Sequence, residues 1–129
     1  MIAYDHVVAG YPSEGGGQLR SILLDVNLTL RAGELVCLLG PSGCGKTTLL
    51  NLAAGFAAPL RGRVLFRDAP VSGPSPQRAV VFQEATLFAW LTVWENVAFG
   101  LRCRDGEQEM IRRRVAEALG ETGLTGFEA

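Results

Sequence analysis

Histidine occurs once in this 129-residue chain, at His6, and cysteine only three times, at Cys37, Cys44 and Cys103. The three thiols are widely separated, with no C-x-x-C pair and no histidine beside them, which argues against a zinc site. An odd number of scattered cysteines reads as free thiols, and His6 reads as an ordinary strand or surface residue. An excess of charge of one sign is also missing: 12 basic and 13 acidic residues give a formal net charge of -1. A nucleic-acid binder would be expected to carry a strongly basic face, so no nucleic-acid partner is expected. No apolar run approaches the roughly 18 residues of a membrane span; the longest, Leu35–Leu39, has the length of a strand. Met1–Asp5 lacks the basic segment and apolar stretch of a secretory signal. A cytoplasmic location is therefore expected, with any attachment to a membrane made through a partner.

What the chain does have is a 48% hydrophobic content, enough for the core of one domain. Ile2–Val8 is expected to form a first strand, and Gly10–Gly17, with Pro12 and three consecutive glycines, a turn. Ile22, Leu24, Val26, Leu28 and Leu30 alternate, as on a strand with one buried side. Leu35–Leu39 is continuously apolar, which suits a strand covered on both faces. Lys46–Ala54 reads as a helix burying Leu49, Leu50 and Leu52, with Gly55 at its C-terminal cap. Arg63–Phe66 and Ala79–Phe82 read as short strands flanking a proline-broken loop, Ala69–Pro76. Thr92 and Glu95 have the spacing of a capping box, followed by Val93, Val97 and Leu101 on one helical face. Arg104–Glu107 reads as a polar turn. Glu107–Glu121 repeats the helical pattern, with a stripe of Ile111, Val115, Ala118 and Leu119 and a solvated side carrying Arg112, Arg113 and Arg114. The pattern is that of an α/β chain.

One motif carries chemistry. Gly40-Pro41-Ser42-Gly43-Cys44-Gly45-Lys46-Thr47 matches G-x-x-x-x-G-K-[ST] at every fixed position, between an apolar run and a helical pattern. Polyphosphate is dense negative charge, and a helix N-terminus offers it free N–H groups and a partial positive charge. Glycines let the backbone curl so that successive N–H groups point at phosphate oxygens. Lys46 adds a mobile positive charge, and the Thr47 hydroxyl can ligate Mg²⁺. Cys44 contributes its backbone. The loop indicates the ligand and leaves the reaction open among transport ATPases, kinases and GTPases. A kinase would want an arginine-rich lid and a GTPase an N-K-x-D motif, and neither is seen.

Over essentially its whole length the chain resembles the ATP-binding subunits of ABC transporters. The likeness rests on Asp25–Glu34 before the loop, on Gly40–Leu50, on Gly62–Phe66 and on Val80-Val81-Phe82-Gln83-Glu84. Phe88–Leu101, with Gly73-Pro74, resembles the branch importing taurine, sulfonates and nitrate. The resemblance implies the fold of a P-loop ABC ATPase, present in part: N-terminal antiparallel strands and a nucleotide-binding core over residues 1–84, and the start of a helical subdomain over 85–129. It implies ATP and Mg²⁺ as cofactors. Tyr11 would stack on adenine, and Gly40, Pro41, Ser42, Gly43, Cys44, Gly45, Lys46, Thr47 and Thr48 would hold the phosphates. Thr47 and Gln83 would contact the metal, with Lys46 and Gln83 serving catalysis. Transmembrane permease subunits would dock on the Gln83–Trp94 region, where Phe88, Trp90 and Leu91 offer apolar surface. A second ATPase subunit and, indirectly, a solute-binding protein complete the expected partners, with the protein peripheral on the inner membrane face. An L-S-G-G-Q signature and an apolar strand ending in the catalytic carboxylates do not occur in these residues. The chain alone is therefore expected to hydrolyse ATP poorly, to be marginally stable and to associate. A nucleotide-binding fragment without turnover is the alternative.

Overall fold

The computed structural model describes residues 1–12, 19–84, 86–103 and 107–129. It divides into two compact units, Met1–Val81 and Phe82–Ala129.

In the first unit, β1 (Ile2–Pro12), β2 (Leu19–Leu30), β3 (Arg61–Phe66) and β4 (Ala69–Pro70) form a sheet of order β2-β1-β3-β4, antiparallel at every pair. β1 is longer than expected: Gly10, Tyr11 and Pro12 pair with Ser21, Arg20 and Leu19, so only the remainder of the expected turn, residues 13–17, lies outside the described residues. One face of this sheet packs on α1 (Lys46–Ala54), burying Tyr4, Val7, Ala9, Leu23, Val64, Leu49 and Leu52 in one cluster. Removing a side chain such as Leu52 from water contributes roughly 1.5–3 kcal/mol. α1 begins and ends at the expected residues. Gly55 closes it at φ 86°, a left-handed conformation that glycine adopts without Cβ strain, and donates back to the Asn51 and Leu52 carbonyls. Leu50, expected in the core, is exposed, since Leu49 and Leu52 already fill the inward face.

The alternation along β2 is broken. Leu23 is buried, whereas Leu24 is 73% exposed. The β1–β2 register shifts three times: at a bulge in β1 between Tyr4 and Val7, at one in β2 between Val26 and Leu23, and again in β2 between Leu23 and Ser21. His6 (φ 48°) and Asp25 (φ 51°) occupy the first two in left-handed conformations. An extra residue shifts the period-2 phase, and every side chain beyond it changes face.

Two expected strands are not formed. Leu35–Leu39 and Ala79–Phe82 belong to no ladder of the described sheet. Leu35 is 90%, Leu39 93% and Val81 97% exposed. A strand exists only through its neighbours' hydrogen bonds, and no strand of the described sheet pairs with these runs.

In the second unit, α2 (Val93–Arg102) packs on α3 (Gln108–Glu121). Ile111, Val115 and Leu119 of α3 are buried together with Ala98 of α2, flanked by Val93, Trp94 and Leu101. Val97 is 37% exposed, so the inward face of α2 centres on Ala98, with Val93 and Leu101 of the expected line packed beside it. The capping box is formed: the Thr92 hydroxyl accepts from the Glu95 N–H at 3.2 Å, and the Glu95 carboxylate accepts from the Thr92 N–H at 3.0 Å. Residues 104–106 of the expected polar turn lie outside the described residues. Arg112, Arg113 and Arg114 are exposed, with Arg113 paired to Glu117 at 3.4 Å.

Candidate functional site: the phosphate loop

The loop residues Gly40–Gly45 lead directly into α1. Gly43 and Gly45 take positive φ values of 80° and 96°. Gly45 is the N-terminal cap residue of α1, and no side chain caps the helix there, nor does an acidic residue occupy its first turn. The first N–H groups and the positive end of the helix dipole are thus left to an external anion. Glycine is required at position 45 for two reasons. Its φ disfavours any side chain, and a Cβ would sit 2.7 Å from Leu23 Cδ2 and 3.0 Å from Ile22 Cγ2 of β2.

Lys46 is held by the loop itself. Its Nζ donates to the Gly40 and Pro41 carbonyls, each at 2.8 Å, and lies 3.6 Å from Cys44 Sγ. An ammonium has three N–H donors. With two directed at the loop carbonyls and the third at the Cys44 sulfur, the charge is fixed over the loop. A cavity of about 180 Å³ adjoins it, lined by Leu23, Val26, Leu38, Leu39, Cys44, Gly45, Lys46 and Leu49.

The remaining candidates fall into three places. Thr47 is exposed on the first turn of α1, where its hydroxyl is open to a metal ion. Thr48 is 6% exposed, with its Oγ1 3.5 Å from the phenolic oxygen of Tyr11. Tyr11, close to the end of β1, is thereby brought to the helix that follows the loop. Gln83 is an exposed bend residue of the second unit. Among the described residues no group of three or more His, Cys, Asp or Glu side chains could hold a metal ion.

Two organising residues escaped the sequence reading. Tyr4 donates its hydroxyl to the Leu49 carbonyl at 2.8 Å, and burial pushes its phenol up to about 12. No local pattern signals this bond, which spans 45 residues. Asn96 holds the Phe88–Leu91 turn: its Oδ1 accepts from the Phe88 N–H at 2.9 Å, and its Nδ2 lies 3.1, 3.1 and 3.0 Å from the Phe88, Leu91 and Thr92 carbonyl oxygens. Phe88 is partly buried and stacks on Phe99 at 4.5 Å between centroids, while Trp90 is 79% exposed. Of the three residues expected to offer apolar surface, Trp90 is open, while Phe88 and Leu91 are partly buried and lie outside the buried cluster of α2 and α3.

An uncapped helix following a glycine loop, with a lysine fixed above it, on an α/β scaffold, defines a P-loop protein. The family model for ABC transporters matches residues 23–129, and the chain belongs to that family. It is 49% identical over 111 residues to the taurine import ATP-binding protein TauB of Pelagibacter ubique, covering 86% of this chain and 42% of that protein. To TauB of Escherichia coli O157:H7 it is 45% identical over 129 residues, covering 99% of this chain and 48% of that protein. The chain thus spans under half the length of these curated relatives. Among solved structures it is similar to a dimeric post-hydrolysis state of the ATP-binding cassette MJ0796 bound to ADP and Pi. That match has a TM-score of 0.77 at 30% identity and covers 93% of this chain and 56% of the other. The antiparallel strands, phosphate-loop helix and helical pair described above are the corresponding part of such a cassette.

Proposed function

We propose that this chain is the ATP-binding part of an ABC importer subunit that couples ATP binding and hydrolysis to uptake of a small anion of the taurine, sulfonate or nitrate type. The observation that carries the reading is Lys46 held over an uncapped helix N-terminus by the Gly40 and Pro41 carbonyls. This arrangement suits a polyphosphate, whose oxygens need both fixed N–H donors and positive charge. The exposed Thr47 hydroxyl suits the Mg²⁺ that accompanies ATP, and the bound ion would screen charge between the phosphates. Tyr11 offers a half-exposed ring to a base. Gln83 is proposed as the polar group that reports on the phosphate end of the ligand. Its amide can donate and accept, which suits metal, water and phosphate alike. The exposed Leu87 and Trp90, on the turn braced by Asn96, are proposed as the docking surface for a permease subunit. A second copy and a solute-binding protein complete the proposed assembly, which would sit on the cytoplasmic side of the membrane. No helix among the described residues is long and apolar enough to cross a membrane. The names of the relatives support the anion class.

Isothermal titration of the chain with MgATP tests the reading. Wild type is expected to bind, and Lys46→Ala to lose about tenfold or more in affinity, as removal of a charged hydrogen-bonding partner does. Equal binding by both would overturn it. Turnover by the chain alone is expected to be slight, because positioning of water and charge stabilisation beyond the loop are needed for phosphoryl transfer.

A further inference from the structure

The bulges also shape the face of the sheet turned away from α1. Val7 and Ala9 are buried in the cluster against α1, so Val8 between them lies on the opposite face, as Leu24 does beside buried Leu23. The register of β1 shifts against β2 between Tyr4 and Val7, and against β3 between Asp5 and Val8. A bulge bends its strand and increases the local twist. Beside this bend lies a cavity of about 490 Å³, lined by Val8, Leu19, Ser21, Leu24, Leu60 and Arg61. Leu19, Leu24 and Leu60 are 59%, 73% and 43% exposed. Single exposed leucines are ordinary on a protein surface. Here four apolar side chains meet at one hollow, with a guanidinium beside them.

We propose that this cavity is a binding site for a small organic anion, with its charged head on Arg61 and Ser21 and its apolar body against Leu19, Leu24 and Leu60. Charge decides the class of ligand. Arg63, two residues further along β3, is taken by Asp5 at 2.8 Å, and Asp25 is taken by His6 at 2.7 Å. Arg61 pairs with no carboxylate among the described residues, and no carboxylate lines the cavity. A guanidinium presents a planar fork of N–H donors that matches the paired oxygens of a carboxylate or sulfonate. The Ser21 hydroxyl adds one more donor. The leucines decide the rest: a bare inorganic ion would leave the apolar walls in water, and a neutral hydrocarbon would leave the guanidinium unused. The volume and the mixture of apolar walls with a few polar groups fit a small-molecule site. The site is distinct from the phosphate loop, since it shares no lining residue with the cavity beside Lys46.

Titration calorimetry of the whole chain with sodium hexanesulfonate tests the site. Sodium sulfate serves as a head without a body, and hexanol as a body without a head. Hexanesulfonate is expected to bind saturably, and each control about tenfold or more weakly than it does. Arg61→Gln is expected to weaken hexanesulfonate about tenfold, as loss of a charged hydrogen-bonding partner does. Leu24→Asp should weaken it at least as much, by placing a like charge in the cavity. Both side chains are exposed, so thermal melting of the two variants should match wild type. Saturating MgATP should leave hexanesulfonate binding in place, and methyl NMR shifts should fall on Val8, Leu19, Leu24 and Leu60. Competition with MgATP would put the anion on the phosphate loop and overturn the site. So would sulfate binding as tight as hexanesulfonate, an unchanged affinity in Arg61→Gln, or the absence of saturable binding.

Discussion

The phenolic oxygen of Tyr4 lies 2.8 Å from the main-chain carbonyl oxygen of Leu49, so that the first strand is bonded directly to the opening of the helix behind the phosphate loop. Leu49 is also the residue whose N–H closes the first helical bond, to the Gly45 carbonyl at 2.9 Å. The position of the loop relative to the sheet therefore depends on a hydroxyl 45 residues away. Tyr4→Phe is expected to cost about 1 kcal/mol of stability, the usual net worth of such a bond, measured by urea denaturation. MgATP affinity should fall with it, since the helix start is no longer fixed.

The same tyrosine predicts alkaline behaviour. Its folded value is about 12 against an ordinary 10.0, so the folded state keeps a proton that the unfolded chain has released. Stability is fully present below pH 10 and declines as pH rises from there towards the folded value. In Tyr4→Phe this part of the decline should be absent. An unchanged alkaline profile would show that the phenol is not buried in solution.

His6 and Asp25, the two left-handed bulge residues, meet at 2.7 Å between Nδ1 and Oδ1. The hydrogen bond to Asp25 and then its charge raise the imidazole above the usual 6.5, with a smaller contribution from Asp5, itself paired with Arg63. A raised folded value means that the contribution is fully present below pH 6.5 and is lost as pH rises through the folded value. An NMR titration of His6 should give a midpoint above that of Asp25→Asn. Coincident midpoints would remove the pair from consideration in solution.

Gly45→Ala should destabilise the chain by about 1–3 kcal/mol through backbone strain and overlap with β2, and should abolish high-affinity MgATP binding. Thermal melting and titration on the same sample check both. A well-folded, tightly binding alanine variant would contradict the close approach of Leu23.

Asn96→Ala should free the Phe88–Leu91 turn. Losing the amide's bonds to these partly buried groups costs about 1 kcal/mol, and Trp90 fluorescence should change while MgATP affinity, read on the phosphate loop, stays the same. A spectrum identical to wild type would mean that the turn holds without the amide.

Leu39→Lys and Val81→Lys should raise solubility and reduce association, because these exposed apolar runs lack neighbouring strands among the described residues. Sedimentation at two concentrations checks this, and association unchanged by both substitutions would place the sticky surface elsewhere.

Much of this molecule was legible before any coordinates. The G-x-x-x-x-G-K-T run, the bounds of α1, the Thr92–Glu95 capping box and the Ile111–Val115–Leu119 stripe depend on dihedral preferences and on bonds between residues three or four apart, which a linear string displays directly. The phase of β2, the reach of Tyr4 and Tyr11 to successive residues of α1, the bracing of the Phe88 turn by Asn96, and the failure of Leu35–Leu39 and Ala79–Phe82 to form strands were decided only by tertiary structure. Each of the strand features depends on which distant segment lies alongside, since a ladder bond or a bulge is a property of two strands and a single run of residues carries no record of its partner. The phosphate loop is written in the sequence because its chemistry is local; how it is anchored is not, because the anchors come from elsewhere in the chain.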